Sequence, residues 1–201
     1  ISGAKRGEVV VDFCAGAGGK TLALAAMMNN TGRLYAMDVS EKRLANIKPR
    51  IARAGVGNIT PQRLDHERDL RLKKLWNKAD RVLVDAPCSG LGTLRRNPDL
   101  KYRQSNDSID ELVTLQTRIL DSAAHLVKRG GYLVYATCSI LAEENQNQIQ
   151  NFLANHAEFS LVNCGDLLKS NKIELDTGEF LQLNPATHHT DGFFAAVWER
   201  R

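Results

Sequence analysis

The chain has 201 residues, of which 43% are hydrophobic and 25% charged, and its formal net charge is +4. This length and composition fit one globular domain with a buried core, and the mild positive charge is compatible with a polyanionic partner without requiring one. No apolar run approaches the ~20 residues that cross a bilayer, and residues 1–8 lack the apolar segment of a signal peptide. Because residue 1 is not Met, we expect residues 1–201 to be one domain of a longer chain.

Short apolar runs alternate with longer amphipathic segments along the chain. The runs predict seven strands, at residues 8–13, 33–39, 58–64, 81–85, 132–137, 159–162 and 193–199. Helical spacing predicts helices at 20–28, 41–54, 109–128 and 143–155, with Ser40 as the N-cap of the second and Gly130–Gly131 at the end of the third. This alternation is typical of βαβ units, so we expect an α/β fold with a mostly parallel seven-stranded sheet and helices on both faces.

Four residues with reactive or polar side chains lie where predicted strands end. Cys14 and Cys138 follow the first and fifth strands, Asp38 lies in the second, and Asp85 ends the fourth. Ligands bind outside the carboxyl ends of the strands in open α/β sheets. We therefore expect these side chains to converge on one active site.

A glycine-rich segment, residues 12–21 (DFCAGAGGKT), joins the first strand to the first helix. Its glycines, Gly16, Gly18 and Gly19, permit a tight turn and a close approach of the backbone to a ligand. A phosphate-binding loop of the Walker A type requires a glycine where this chain has Cys14, so we do not expect an NTPase.

A dinucleotide-binding fingerprint matches the same loop only in part. Gly16 and Gly18 fit G-x-G-x-x-G, but Thr21 replaces the third glycine. Asp38 nevertheless lies about 20 residues further on, where a carboxylate commonly binds ribose hydroxyls. These features favour a cofactor that contains ribose but no pyrophosphate, and S-adenosylmethionine fits that description.

The four cysteines are separated widely in the chain and form no C-x-x-C pair. This spacing does not favour a zinc site or a disulfide framework, so we expect no metal, reduced thiols and a cytoplasmic protein. Two of the cysteines lie in similar settings, in residues 85–90 (DAPCSG) and 136–139 (ATCS). An inert buried cysteine is the more common case, but two thiols at neighbouring strand ends favour chemistry.

Four segments together carry a resemblance to a known family: DFCAGAGGKT, DAPCSGLGTLRRNPDLK, YATCSILAEEN and DGFFAAVW. They resemble the NOL1/NOP2/Sun family of RNA cytosine-5 methyltransferases, which includes bacterial rRNA enzymes related to Sun/Fmu. The resemblance extends from about Gly7 to about Glu199. It implies a Rossmann-like class I methyltransferase fold that uses S-adenosylmethionine, with rRNA rather than tRNA as the preferred substrate. One departure is visible, because Gly16-Ala17 stands where the family commonly has Ala-Pro.

The resemblance also implies catalytic roles. Cys138, in the TCS motif, would attack C6 of cytosine and so make C5 nucleophilic, a form of covalent catalysis. Cys88, in the PCS motif, would assist loss of the C5 proton and release of the adduct. Asp85 would hydrogen-bond the edge of the base.

Further positions of the family's binding sites can be matched here. The cofactor-binding set is Cys14, Ala15, Gly16, Ala17, Gly18, Gly19 and Lys20 for the amino-acid end, Asp38 for ribose, Asp65 for adenine, Arg43 near the adenosine, and Asp85. A basic cluster in the long polar segment 86–107 is the candidate RNA-binding set: Arg95, Arg96, Lys101 and Arg103. We interpret His188 and His189 as loop residues near the substrate and Cys164 as a bystander, and we expect a monomer.

Three alternatives remain at this stage. A DNA cytosine-5 methyltransferase would use Pro87-Cys88 as its nucleophile, but this leaves Cys138 without a role. A tRNA substrate is a second alternative. A non-catalytic RNA-binding relic is the third, although such a protein would not need both thiols.

Overall fold

Eight strands form one sheet in the computed structural model, which describes residues 1–175 and 177–201. In chain order the strands are β1 (Val9–Asp12), β2 (Arg33–Asp38), β3 (Ile59–Arg63), β4 (Ala79–Asp85), β5 (Val127–Thr137), β6 (Phe159–Val162), β7 (Leu181–Leu183) and β8 (Phe193–Arg200). Their order across the sheet is β3-β2-β1-β4-β5-β8-β6, and β7 pairs with β8 beside this path. Strands β1 to β5 pair in parallel, whereas β8 runs antiparallel to β5, β6 and β7.

The helices lie on both faces of this sheet, as predicted. They are α1 (Gly19–Met27), α2 (Glu41–Ala45), α3 (Ile47–Ala54), α4 (Leu100–Arg103), α5 (Asn106–Ala124), α6 (Gln146–Asn155), α7 (Cys164–Ser170) and α8 (Pro185–His188). Alternate residues of a strand point to opposite faces, so Val10 packs in the core cluster on the α1 side and Val11 in the cluster on the α5 side. The predicted α/β class with a mostly parallel sheet is confirmed.

The number of strands differs from the prediction, because the sheet has eight strands rather than seven in the part of the chain that the structure describes. The additional strand is β7, whose three residues are too few to show an alternating pattern.

No helix within the described ranges 1–175 and 177–201 combines the length and apolar character needed to cross a membrane.

The predicted helix at 41–54 is two helices that meet at Asn46. Pro49 explains the break, because it falls in the first turn of α3, where a missing N–H is tolerated, but would disrupt the interior of one continuous helix. The predicted N-cap is present, since the Arg43 backbone N–H donates to Ser40 Oγ at 3.3 Å.

The predicted helix end at Gly130–Gly131 is wrong. Helix α5 ends at Ala124, and both glycines lie inside β5. The pairing of β5 with β4 shifts register here, and a Cβ at Gly131 would lie 3.0 Å from the Ala79 carbonyl oxygen. The glycines therefore allow a close approach of two strands at an irregularity, which is a common role of glycine within strands.

Candidate active site

A cavity of about 620 Å³ opens at the carboxyl ends of the parallel strands. The four residues selected at strand ends, Cys14, Asp38, Asp85 and Cys138, all line it. Most of the other proposed site residues line it too: Ala15, Gly16, Ala17, Gly19, Lys20, Arg43 and Cys88. The sheet topology therefore brings together side chains that are as far apart as 14 and 138 in the chain.

The glycine loop forms one wall of the cavity. Gly16 and Gly18 have left-handed backbone angles, with φ of 55° and 86°. A Cβ at Gly18 would lie 2.9 Å from Ile47 Cγ1, so this glycine allows α3 to pack against the loop and does not itself line the cavity. The Gly16 N–H donates to Asp38 Oδ2 at 2.8 Å, which fixes the loop to the end of β2.

Asp38 is a buried carboxylate at the edge of the cavity, with 4% of its side chain exposed. Its Oδ1 accepts a hydrogen bond from the Ser40 N–H at 2.7 Å and lies 3.1 Å from Arg43 Nη2. A carboxylate oxygen accepts more than one hydrogen bond, so Asp38 retains acceptor capacity toward the cavity.

Lys20 and Asp85 form an ion pair between the glycine loop and the thiols, with Nζ and Oδ2 2.6 Å apart. Both side chains are partly exposed, and the Lys20 ammonium also lies 5.6 Å from the centre of the Phe193 ring. Lys20, a member of the expected cofactor-binding set, thus contacts the acid expected at the cytosine edge.

The two thiols of the PCS and TCS motifs lie side by side, with Cys88 Sγ and Cys138 Sγ 3.4 Å apart. The hydrogen bond from Cys88 lowers the pKa of Cys138 to about 7, although burial opposes this shift. The same hydrogen bond, together with burial, raises the pKa of Cys88 well above its ordinary value. Of the two thiols, Cys138 is therefore the one that ionises more readily.

A buried polar network lies behind the thiols and was missed by sequence reasoning. The Glu144 carboxylate is fully buried and accepts hydrogen bonds from the Ser89 N–H at 2.8 Å, from Ser89 Oγ and from Gln116 Nε2 at 2.9 Å. Ser89 Oγ lies 3.2 Å from Ser139 Oγ, so the residues that follow the two cysteines are in contact. The only sequence signal was the acidic pair in YATCSILAEEN, one of the four family segments.

Asp12 is a second residue that the sequence did not identify. It ends β1, is fully buried, and accepts a hydrogen bond from Thr21 Oγ1 at 2.6 Å. Burial raises its pKa to about 7. This contact joins the end of β1 to the start of α1 beneath the glycine loop.

The long segment after Cys88 is ordered by contacts with two other loops. The Gly92 N–H donates to the Cys138 carbonyl at 2.9 Å, and the Gly192 N–H donates to the Gly92 carbonyl at 2.7 Å. An ion pair joins Arg96 to Asp191 on the same loops. The other members of the basic cluster, Arg95, Lys101 and Arg103, are exposed.

Other residues that the sequence analysis considered lie outside the cavity. The Asp65 side chain is 67% exposed and pairs with Arg71 at 2.9 Å, while Leu64 and Glu67 line the cavity in its place. Cys164 is buried in the core at the start of α7. His188 lies in α8, where its Nδ1 accepts a hydrogen bond from the Asn184 N–H at 3.1 Å.

Comparison with known proteins agrees with these motifs. The family model described as 16S rRNA methyltransferase RsmB/F matches residues 3–199. A probable ribosomal RNA small subunit methyltransferase B from Synechocystis is 39% identical over 192 residues, which cover 94% of this chain and 42% of that protein. The chain therefore spans less than half the length of this relative.

Two solved structures share the fold. The crystal structure of PH0851 superposes with a TM-score of 0.89 at 41% identity, covering 98% of this chain and 44% of that one. NSun6 from Pyrococcus horikoshii, solved with SFG, superposes with a TM-score of 0.82 at 28% identity, covering 98% and 48%. The resemblance inferred from the motifs is thus confirmed, and the chain belongs to the RsmB/F family of 16S rRNA methyltransferases within the NOL1/NOP2/Sun group.

Proposed function

We propose that this chain is the catalytic domain of an S-adenosylmethionine-dependent enzyme that methylates C5 of cytosine in rRNA. The observation that carries the proposal is the pair of thiols 3.4 Å apart at the edge of the cavity, of which Cys138 has the lowered pKa. A pair of this kind supplies both a nucleophile and a proton-transfer group.

The residues around the cavity fit S-adenosylmethionine. Asp38 offers a buried carboxylate for ribose hydroxyls, and Leu64 and Ile119 offer apolar surface for adenine. The loop from Cys14 to Lys20 would hold the amino-acid end of S-adenosylmethionine, and Arg43 would lie beside its adenosine. The cofactor would supply the methyl group from its sulfonium. The assignment of Asp65 to adenine stays a prediction, and Glu67 is the acidic side chain nearer the cavity.

Cys138 would act as the nucleophile. Its thiolate forms a bond to C6 of the base, and the electron pair of the C5–C6 double bond becomes available at C5. Asp85, held by Lys20 at 2.6 Å, would hydrogen-bond the edge of the base and help to polarise the ring during the addition.

Cys88 would complete the reaction. Its pKa is raised mainly because its thiol donates to Cys138, and this cause disappears once the Cys138 lone pair forms the C–S bond. The Cys88 thiol then becomes more acidic, and once it has lost its own proton to solvent water, its thiolate can accept the C5 proton. Loss of that proton restores the C5–C6 double bond and expels Cys138 as thiolate.

The DNA-type alternative, with Cys88 as nucleophile, is opposed by the charge distribution within the pair. The hydrogen bond and burial raise the pKa of Cys88, whereas the same hydrogen bond lowers the pKa of Cys138, so Cys138 is the more readily ionised nucleophile. A non-catalytic relic is opposed by the buried network that maintains both cysteine loops.

The choice of rRNA over tRNA rests on the names of the relatives. The basic cluster would contact RNA phosphates, and a monomeric, cytoplasmic protein stays a prediction.

A covalent trap tests the proposal. Cys88→Ala and Cys138→Ala variants of the full-length protein would be expressed in cells, and slowly migrating, ribonuclease-sensitive adducts would be sought on gels. We expect an adduct with Cys88→Ala alone, because the base can be attacked but not released. Sequencing the bound RNA identifies the substrate, including a tRNA. An adduct with Cys138→Ala alone would reverse the two roles, and an adduct with neither would contradict the proposal.

A further inference from the structure

Tyr102 is the most exposed of the large hydrophobic side chains in the described part of the chain, with 82% of its surface accessible. It lies in α4, within the segment that follows Cys88. Burial of an aromatic ring is favourable, and this ring is hardly buried within the chain. Its exposure suggests contact with another molecule.

The backbone around Tyr102 is held in place by hydrogen bonds. The Tyr102 N–H donates to the Asp99 carbonyl at 3.0 Å. Gln104 Nε2 donates to the carbonyl of Ser89 at 2.9 Å, which connects the end of α4 to the residue directly after Cys88. Tyr102 is therefore a ring on a short, anchored helix, two residues from a contact with the catalytic loop.

The charges around Tyr102 are mostly positive. Lys101 Nζ lies 4.8 Å from the centre of its ring. Arg95 and Lys101 make no ion pair among residues 1–175 and 177–201, whereas Arg103 pairs with Asp99 and Arg96 pairs with Asp191. Lys101 thus lies beside the ring, and Arg95 lies in the same exposed segment. An exposed aromatic ring with cations nearby in the chain is typical of surfaces that bind single-stranded nucleic acid, in which bases stack on the ring and phosphates meet the cations.

We propose that Tyr102 is a stacking platform for a base of single-stranded RNA that flanks the target cytosine. Lys101 and Arg95 bind the adjoining phosphates. The RNA must be single-stranded there, because the bases of a duplex are stacked on each other and leave no face for the ring. This inference rests on the proposed function in taking RNA as the substrate, and it adds a contact that is independent of the thiols and of the cofactor cavity.

Binding of a fluorescein-labelled oligoribocytidylate to the full-length protein tests the proposal. We expect Tyr102→Ala to weaken binding roughly tenfold or more, as is usual for the loss of one stacked base, and Tyr102→Trp to bind as tightly as the wild type. An abasic oligonucleotide with the same number of phosphates should bind all three proteins equally, because it has no base to stack. Binding of S-adenosylhomocysteine should be unchanged, which verifies that the variants are folded.

Two results would overturn the stacking platform. One is wild-type affinity of Tyr102→Ala for the oligoribocytidylate, which would assign the exposed ring to a protein contact instead. The other is an equal loss of affinity for the abasic oligonucleotide, which would mean that α4 acts through charge or shape alone. Neither measurement requires methyl transfer, so failure of the proposed function would appear separately, as an absence of adducts in the covalent trap.

Discussion

Among single residues, Cys88 and Cys138 show how one hydrogen bond gives two chemically identical side chains different roles. Their sulfur atoms are 3.4 Å apart, and only one of the two can ionise easily, because a second negative charge so close is unfavourable. The pKa of Cys88 is raised and the pKa of Cys138 is lowered, so we expect Cys138 to be the thiol that ionises first. This assignment gives a direct prediction for the pH dependence of thiol reactivity.

The alkylation rate of Cys138 by iodoacetamide should rise with pH and level off above a midpoint near pH 7, because its thiolate is the reactive form and its pKa is about 7. Cys88→Ala removes the hydrogen bond that lowers this pKa, so the midpoint should move up toward ~8.5, the value of an unperturbed cysteine. Cys88→Ser keeps a hydrogen-bond donor beside Cys138, so it should move the midpoint less than Cys88→Ala does. Mass spectrometry of the Cys138 peptide measures the rates, and an unchanged midpoint in Cys88→Ala would refute the assignment.

At the scale of elements, the Cys88 loop is held beside the Cys138 loop because a third element, the segment leading into α6, supplies a buried acceptor for Ser89, whose hydroxyl also contacts Ser139. Glu144 accepts three hydrogen bonds inside the core, and two of them come from Ser89. Its own backbone carbonyl accepts from Tyr135 Oη at 2.7 Å, which fixes it to β5. The geometry of the thiols thus depends on a residue that touches neither of them.

Glu144→Gln should destabilise the fold by about 1–3 kcal/mol, because one acceptor oxygen is replaced by an NH₂ group that faces existing donors. Loosening of the Ser89 loop should also move the Cys138 alkylation midpoint upward, since Cys88 would no longer be held as its donor. Glu143→Gln is the matched control, because Glu143 is the exposed neighbour. Urea unfolding and the alkylation profile measure the two effects, and equal behaviour of the two variants would disprove this role.

The elements differ in how far they could be predicted from sequence. The central strands were found because they are buried apolar runs, and the positions of Cys14, Asp38, Asp85 and Cys138 at their ends followed from topology. Strand β7 depends on its pairing with β8, which local pattern does not reveal. The division between α2 and α3 did have a local signal in Pro49, which the predicted helix at 41–54 did not take into account. Glu144 was missed for a related reason, since its donors come from residues 55 and 28 positions away.

At the scale of the whole molecule, the cavity is a junction between several elements of the fold. Its lining comes from the loops after β1, β2, β3, β4 and β5 and from α5. A ligand that contacts several of these walls binds only the folded state and so stabilises it. The stability of the molecule should therefore report cofactor binding without any RNA present.

S-adenosylhomocysteine at about 100 times its Kd should stabilise the protein by about 2.7 kcal/mol, which for a domain of this size raises Tm by roughly 5–10 °C. Asp38→Ala should lose most of this rise, because the carboxylate faces the cavity and also holds Gly16 in the loop. Asp110→Ala, a change at an exposed residue of α5, should keep it. Each Tm shift is measured by calorimetry against the same variant without ligand, which removes any effect on the unliganded fold. If Asp38→Ala keeps the full Tm rise with S-adenosylhomocysteine, the ribose must bind elsewhere. If the Tm rise is instead lost only in Asp65→Ala, that result would support adenine binding at Asp65.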